Sequence, residues 1–370
     1  MGKNLKIMVV DDALLFRAAL SDIFSGFDGV EVVGTASNGQ KALERILRWK
    51  PDFITLDLEM PVMDGLETLW HLSREFPEIG VVIVSSANSE SADKTMKALG
   101  LGCLEFIVKP SAINREAARK ELSEQLMRVI SIFRLRAHKA FINTLRAAPV
   151  IRPGLSTQSL KSLRIKKPSI TNAVLIGSST GGPRALGRLI SNLPKTFHLP
   201  VLIVQHMPKM FTQSLAKMLN EKSSLHVQEG KHLENIYPGH VYIAPGGQHM
   251  TVCCNGKGSH YLKMNNDPPE NSCRPSVDVL FRSACKAYPP KNILCVILTG
   301  MGSDGVKGVR VLQSSGGGYC LTQSKETCTV YGMPRSMIES GLVCEVQDLD
   351  KIGDRIIEIT YGKKRLSKKT

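Results

Sequence analysis

No stretch of this chain reaches the roughly 18 consecutive apolar residues that a membrane-spanning helix needs. Its start, Met1-Gly2-Lys3-Asn4-Leu5-Lys6, has no leader-peptide pattern and runs straight into the strand-like Ile7-Met8-Val9-Val10. Lysine at position 6 makes the Met-Gly start a poor myristoylation match. The expectation is a cytoplasmic protein. None of the nine cysteines forms a C-x-x-C pair, and Cys253-Cys254 is the one close pair, so zinc-ligand spacing is missing. Cys103, Cys295 and Cys344 stand in apolar runs and read as small buried hydrophobes. No internal repeat is evident, which excludes solenoids and propellers.

Acidic residues are absent from positions 138 to 171, where Lys139, Arg146, Arg152, Lys161, Arg164, Lys166 and Lys167 stand. The tail adds Lys363, Lys364, Arg365, Lys368 and Lys369. Much of the net charge of +15 therefore lies in a linker and a terminus. That distribution fits solvated charge, or attraction to an acidic partner, better than a recognition helix, and no nucleic-acid partner is expected. With 370 residues, 42% apolar and 22% charged, the chain can bury two or three cores.

Short apolar runs at Lys6–Val10, Val30–Gly34, Phe53–Leu56, Val81–Val84 and Leu104–Val108 alternate with helix-like segments such as Leu14–Phe24 and Gln40–Arg48. Five such units imply a (βα)5 parallel sheet of flavodoxin-like type over residues 1–120. Glu116–Leu135 reads as an amphipathic helix with Leu122, Leu126, Val129, Ile130 and Phe133 on one stripe. Pro149, Pro153-Gly154 and Pro168 then mark a basic, flexible linker, so that 121–170 is helix followed by linker. A second, doubly wound α/β domain with a mostly parallel sheet spans 171–361. Its strands are expected at Val174–Ile176, Val201–Val204, Val241–Ala244 and Ile293–Leu298, and 362–370 is a basic tail.

Functional groups in parallel sheets gather beyond the carboxyl ends of the strands. In the first domain that rule selects Asp11, Asp12, Asp57, Ser85 and Lys109. Three carboxylates brought together need a cation, and hard oxygen ligands suit Mg²⁺. A carboxylate beside Mg²⁺ and a lysine is well placed to attack a phosphoryl group, because both cations neutralise oxygens that gain charge. These residues, with Asp57-Leu58-Glu59-Met60-Pro61 and Lys109-Pro110, closely resemble the receiver domain of response regulators. The resemblance implies Asp57 as phosphoacceptor and Asp11 and Asp12, with Asp57, as Mg²⁺ ligands. It also implies Ser85 and Lys109 as phosphate contacts, Phe106 at the aromatic switch position and a cis Lys109–Pro110 bond.

In the second domain Gly177-Ser178-Ser179-Thr180-Gly181-Gly182 follows an apolar run and precedes a helical segment. A serine on such a turn is either a nucleophile or part of a phosphate-cradling loop. Against nucleotide binding, G-x-G-x-x-G is absent there and Gly181-Gly182-Pro183-Arg184 offers no Walker lysine. A nucleophile needs a base and a group to orient that base. His206 ends the run Val201–Val204 plus Gln205, and Asp304 lies in the glycine-rich turn after Ile293–Leu298. Ser179, His206 and Asp304 thus lie beyond three strand ends, in an order that differs from that of α/β-hydrolases.

Ile176–Pro183, Val204–Pro208, Tyr242–Gly246, Arg274-Pro275-Ser276-Val277-Asp278, Leu298–Gly305 and Tyr331–Arg335 resemble the catalytic domain of chemotaxis protein-glutamate methylesterases, the CheB family. The resemblance implies hydrolysis of glutamate methyl esters, and deamidation of glutamine, on the cytoplasmic helices of methyl-accepting chemoreceptors. It implies a Ser179-His206-Asp304 triad, oxyanion donors at the Thr180 and Met301 amides, and no cofactor for the ester chemistry. A chemotaxis histidine kinase would phosphorylate Asp57, relieving a receiver that restricts access to the catalytic domain, and membrane proximity would come through receptors alone. Two departures stand out. Ser178 replaces the usual alanine, and Thr322-Gln323-Ser324-Lys325 lacks the acidic residue common after that glutamine. A receiver-linked DNA-binding regulator and a catalytically silent docking protein are the competing classes.

Overall fold

The computed structural model describes residues 4–110, 115–145, 165–256 and 258–361. The chain divides into two compact units, the first reaching Gly154 and the second starting at Leu155. The linker stretch 146–164 and the tail 362–370 lie outside the described residues. Among those described, no helix is long and apolar enough to cross a membrane.

In the first unit β1 (Leu5–Val10), β2 (Val30–Ala36), β3 (Phe53–Asp57), β4 (Gly80–Ser85) and β5 (Glu105–Val108) form a parallel sheet ordered β2-β1-β3-β4-β5. Every residue of β3 and β4 is buried, as a sheet covered on both faces requires. The helices are α1 (Leu14–Ser25), α2 (Gly39–Trp49), α3 (Gly65–Glu75), α4 (Ser89–Leu101) and α5 (Arg115–Leu145). Asn38, Asp64 and Asn88 cap α2, α3 and α4, each side chain accepting a first-turn N–H. The α5 helix outruns the expected Leu135. Its apolar spacing runs on through Ala137, Phe141 and Leu145, and no glycine or proline interrupts the chain before Pro149, so the helix carries on.

One cis peptide bond occurs among the described residues, Arg274–Pro275. Lys109–Pro110 is therefore trans, which corrects the cis bond implied by the receiver resemblance. X–Pro bonds default to trans by ~0.5–1 kcal/mol, and Lys109 reaches Asp11 and Asp57 from the trans backbone.

The second unit centres on a parallel sheet of seven strands, ordered β14-β13-β12-β6-β7-β9-β8. These are β6 (Ala173–Ser178), β7 (Val201–Gln205), β8 (His226–Glu229), β9 (His240–Ile243), β12 (Ile293–Ile297), β13 (Tyr319–Gln323) and β14 (Glu345–Gln347), with β10 (His249–Cys254) and β11 (His260–Asn265) forming a separate antiparallel pair. The helices are α6 (Gly182–Ser191), α7 (Lys209–Lys222), α8 (Val277–Ala287), α9 (Val306–Ser314), α10 (Met333–Glu339) and α11 (Leu349–Tyr361). The strands not expected from the sequence are the short, polar β8 and β14, the hairpin, and β13, whose apolar run is only Tyr319–Leu321. Cys103 and Cys295 are buried, whereas Cys344 is only partly so, because the segment before β14 runs along the sheet's edge.

From β6 the chain winds outward through β7 to β9 and β8, then returns to lay β12 against the other side of β6. The loops after β12, β6 and β7 therefore open side by side at the switch point, where open α/β sheets place their ligands.

Leu122, Leu126, Val129 and Ile130 of α5 pack with Phe24 and Phe53 in one core, and Phe133 meets Phe53 edge-on at 5.3 Å. Leu126→Ala is expected to destabilise the first unit by about 2–5 kcal/mol, read as a lower denaturant midpoint at unchanged slope. An unchanged midpoint would remove α5 from that core.

Candidate active site

At the carboxyl edge of the first sheet, Lys109 Nζ donates to Asp11 Oδ2 and Asp57 Oδ2, each at 2.8 Å. Asp11 and Asp57 are buried and Asp12 is exposed, and carboxylate oxygens of all three lie within 4.8 Å of one another. Burial pushes Asp57 up to about 6 against the pull of Lys109. This all-oxygen donor set fits Mg²⁺. The Ser85 hydroxyl accepts from Thr95 Oγ1 of α4 at 2.9 Å. Phe106 is half-buried on β5. Glu59, a residue without an assigned role in the sequence reading, accepts from Ser91 Oγ at 2.9 Å and so ties the β3 loop to α4.

At the switch point of the second sheet, the turn after β6 presents Ser179 half-buried. Its amide donates to the Thr299 carbonyl at 3.1 Å, and its carbonyl accepts from the Gly182 amide at 2.7 Å and from Gln205 Nε2 at 2.9 Å. Ser178, directly before it, is fully buried and donates to Gln205 Oε1 at 2.7 Å. The second hydroxyl of this turn thus faces inward, away from chemistry. The clamp leaves no room at Gly182, where a Cβ would fall 1.8 Å from Gln205 Oε1. Gly300 lies so close to the turn that a Cβ there would fall 2.7 Å from the Ser179 Cβ.

His206 and Asp304 meet directly, Nε2 to Oδ2 at 2.8 Å. Asp304 is buried at the start of α8, where its Oδ1 accepts from Ser276 Oγ (2.8 Å), the Asp278 amide (3.0 Å) and Asn271 Nδ2 (3.0 Å). Its Oδ2 also accepts the Val277 amide at 2.7 Å. A carboxylate suits the positive end of a helix. Burial opposes its charge, but His206 and these donors hold Asp304 down to about 2. Burial also opposes the imidazolium, yet Asp304 and the Cys273 sulfur outweigh it and push His206 up to about 9.

The third leg is different. Among the described residues the Ser179 hydroxyl has no hydrogen bond to His206; the second ring nitrogen, Nδ1, faces Cys273 Sγ at 3.5 Å. The Thr180 and Met301 amides donate to no protein acceptor among the described residues. The Thr299 loop is held by Gln323, whose Oε1 accepts the Thr299 amide at 2.8 Å. Ser324, where an acidic residue is common, donates to Asp348 Oδ1 at 2.7 Å, so the carboxylate at this corner comes from the β14–α11 connection. Gln205, Asn271, Cys273, Ser276, Asp278 and Gln323 carried no role in the sequence reading. Ser276 and Asp278 had a signal in the Arg-Pro-Ser-Val-Asp run, Gln205 in Val204–Pro208 and Gln323 in Thr322–Lys325; Asn271 and Cys273 had none.

A family model described as CheB methylesterase matches residues 174–356, and one for the response regulator receiver domain matches residues 7–119. A Desulfotalea psychrophila protein named protein-glutamate methylesterase/protein-glutamine glutaminase is 43% identical over 361 residues, covering 96% of this chain and 98% of its own. The Bacillus subtilis protein of the same name is 39% identical over 355 residues, covering 95% and 97%. Among solved structures, the catalytic domain of Thermotoga maritima CheB methylesterase shares 43% identity, covering 51% of this chain and 98% of that one, with a TM-score of 0.49.

The His206–Asp304 pair has a defined pH signature. A raised histidine contributes stability that is complete below its ordinary 6.5 and lost as pH rises through about 9. The Asp304 share is complete above its ordinary 3.8 and lost as pH falls through about 2. The difference in melting temperature between the native chain and His206→Gln should therefore be largest between those ordinary values and shrink towards pH 9. A difference that stays constant up to that pH would contradict the pairing.

Proposed function

This chain belongs to the CheB methylesterase family, with a receiver domain ahead of its catalytic domain, and from that premise we propose how its residues divide the work. It is a protein-glutamate methylesterase and protein-glutamine glutaminase under receiver control. We assign Ser179 as nucleophile, His206 as general base and then acid, and Asp304 as the group that orients the imidazole. What carries this reading is the arrangement at the switch point: loops from three adjacent strands bring a half-buried serine, an Asp-bound histidine and two unengaged amides to one edge of the sheet.

Asp304 holds Nε2, so in the neutral imidazole, the form that grows as pH rises towards about 9, Nδ1 is the nitrogen left to take a proton. Ser179 Oγ attacks the γ-carbonyl carbon of a methylated glutamate while Nδ1 accepts the hydroxyl proton. The Cys273 contact at Nδ1 has to give way, and the serine–imidazole hydrogen bond tightens when substrate binds. The Thr180 and Met301 amides stabilise the oxyanion, each worth on the order of 10²-fold or more. The tetrahedral intermediate expels methanol, which leaves with the proton from His206. Water then attacks the glutamyl ester, giving up its proton to His206, and returns glutamate and free Ser179. For glutamine the leaving group is ammonia. This ester chemistry draws on side chains and amides alone.

In the receiver, Asp57 takes the phosphoryl group, whose added charge Lys109 offsets in part. Asp11, Asp12 and Asp57 would hold Mg²⁺, which supplies charge neutralisation of the phosphoryl oxygens. The substrates we propose are methyl-accepting chemoreceptors, the phosphodonor a chemotaxis histidine kinase, and the setting the cytoplasm, with membrane proximity through the receptors.

Methanol release from methylated receptor is the direct test. Ser179→Ala should abolish it, and release at the native rate would refute the nucleophile. Asp304→Asn, which leaves the imidazole in the wrong tautomer, should lower the rate by on the order of 10⁴-fold. An acyl phosphate with Mg²⁺ should accelerate the native chain and leave Asp57→Asn unchanged; equal acceleration of both would remove Asp57 from control.

A further inference from the structure

Cys273 is held against His206 by a turn that is unusually well anchored. Glu270 and Cys273 exchange backbone hydrogen bonds at 3.1 and 2.9 Å, and Asn271 and Ser272 between them adopt φ of 53° and 61°. Arg282 grips the Glu270 carboxylate with both guanidinium nitrogens. Asn271 Nδ2 donates to Asp278 Oδ2 at 2.9 Å and to Asp304 Oδ1 at 3.0 Å. The sulfur is thereby fixed 3.5 Å from His206 Nδ1. Ligand atoms of His206, Cys273 and Asp304 all lie within 4.8 Å of one another.

That spacing, ordinary for a thiol–imidazole hydrogen bond, is also that of two ligands sharing a metal. With Zn–N of about 2.0 Å and Zn–S of about 2.3 Å, two ligands of a tetrahedral zinc ion stand about 3.5 Å apart. The donor types agree, since thiolate and imidazole select zinc whereas carboxylates alone select magnesium. The outer shell agrees as well. Zinc-bound histidines give their other N–H to a carboxylate, and Asp304 already occupies Nε2 at 2.8 Å. The two acid-containing clusters of this chain thus sort by chemistry, the receiver's oxygens for a hard cation and this S/N pair for a softer one.

We propose that Cys273 and His206, backed by Asp304, form an inhibitory site for Zn²⁺. On binding, the Cys273 thiol and the His206 imidazolium release their protons to solvent, and the metal takes the Nδ1 lone pair that the serine hydroxyl requires. The remaining coordination positions are filled by water. Inhibition rests on the reading of His206 as base; metal binding does not. Mg²⁺, which prefers oxygen, leaves this site alone.

Two measurements on the full-length chain test the proposal. The first is methanol release with phosphodonor and Mg²⁺ present, titrated with Zn²⁺ and normalised to each variant's zinc-free rate. Cys273→Ala and Cys273→Ser should each raise the half-inhibitory Zn²⁺ concentration at least about tenfold. The second is Co²⁺ binding, read as a thiolate-to-cobalt charge-transfer band that the native chain and Ser179→Ala show and Cys273→Ala loses. Equal zinc sensitivity in the native chain and both cysteine variants would overturn the proposal, as would a cobalt band unaffected by Cys273→Ala. A Cys273-dependent cobalt band without inhibition would keep the metal site and refute both inhibition and His206 as base.

Discussion

Two helices of the catalytic unit cap each other, and the active-site carboxylate is one of the caps. Asp304, from the loop before α9, accepts the first amides of α8, Val277 and Asp278. Asp278, from the first turn of α8, accepts the Gly305 and Gly308 amides at the start of α9, at 3.0 and 2.6 Å. Each helix leaves N–H groups that need acceptors and a positive end that favours an anion. Each receives its anion from the other. Asp304 consequently has little freedom to rotate, and the same network that orients it for His206 also joins α8 to α9. Two carboxylates so close repel, and burial together with Asp304 pushes Asp278 up to about 6 even though the Gly308 amide pulls the other way. The helix ends are what make the pair tolerable.

A second polar clamp does for the serine what the helix caps do for the aspartate. Gln205 joins Ser178, Ser179 and His206 across β6 and β7, and Gln323 holds the Thr299 amide from β13. Thr299 Oγ1 in turn donates to the Thr180 carbonyl at 3.0 Å. Buried side-chain amides that satisfy several backbone groups at once restrict a loop to one conformation. The two loops proposed to supply oxyanion donors are therefore coupled to each other through Thr299. Such preorganisation is what electrostatic catalysis requires. The Ser178 hydroxyl belongs to this clamp.

Legibility in the sequence followed the strength of the local signal. Buried strands such as Phe53–Asp57 and Val201–Gln205 stand out as apolar runs, whereas β8, β14 and the β10–β11 hairpin carry mixed residues and leave no such mark. The α5 extension past Leu135 follows from the absence of breakers and from apolar spacing that runs on to Leu145. Asp57, Lys109, Ser179, His206 and Asp304 stand at strand ends or in glycine-rich turns, so a rule about parallel sheets singles them out. Cys273, Asn271 and Gln323 work through partners dozens of residues away, and nothing beside them in the chain points to those partners.

Pattern and resemblance alone pointed to the two α/β units, the family and the short set of side chains proposed to do the chemistry, because hydrophobic period and motif spacing are local properties. Contact was decided by the tertiary structure. Strand order brings β12, β6 and β7 together although their loops are separated by long stretches of chain, and sheet closure selects His206 from the several histidines of that unit. The turn before α8 delivers Cys273, not Ser179, to the second imidazole nitrogen. Hydrogen bonds and metal-ligand distances depend on fractions of an ångström, a scale that only the packed fold defines.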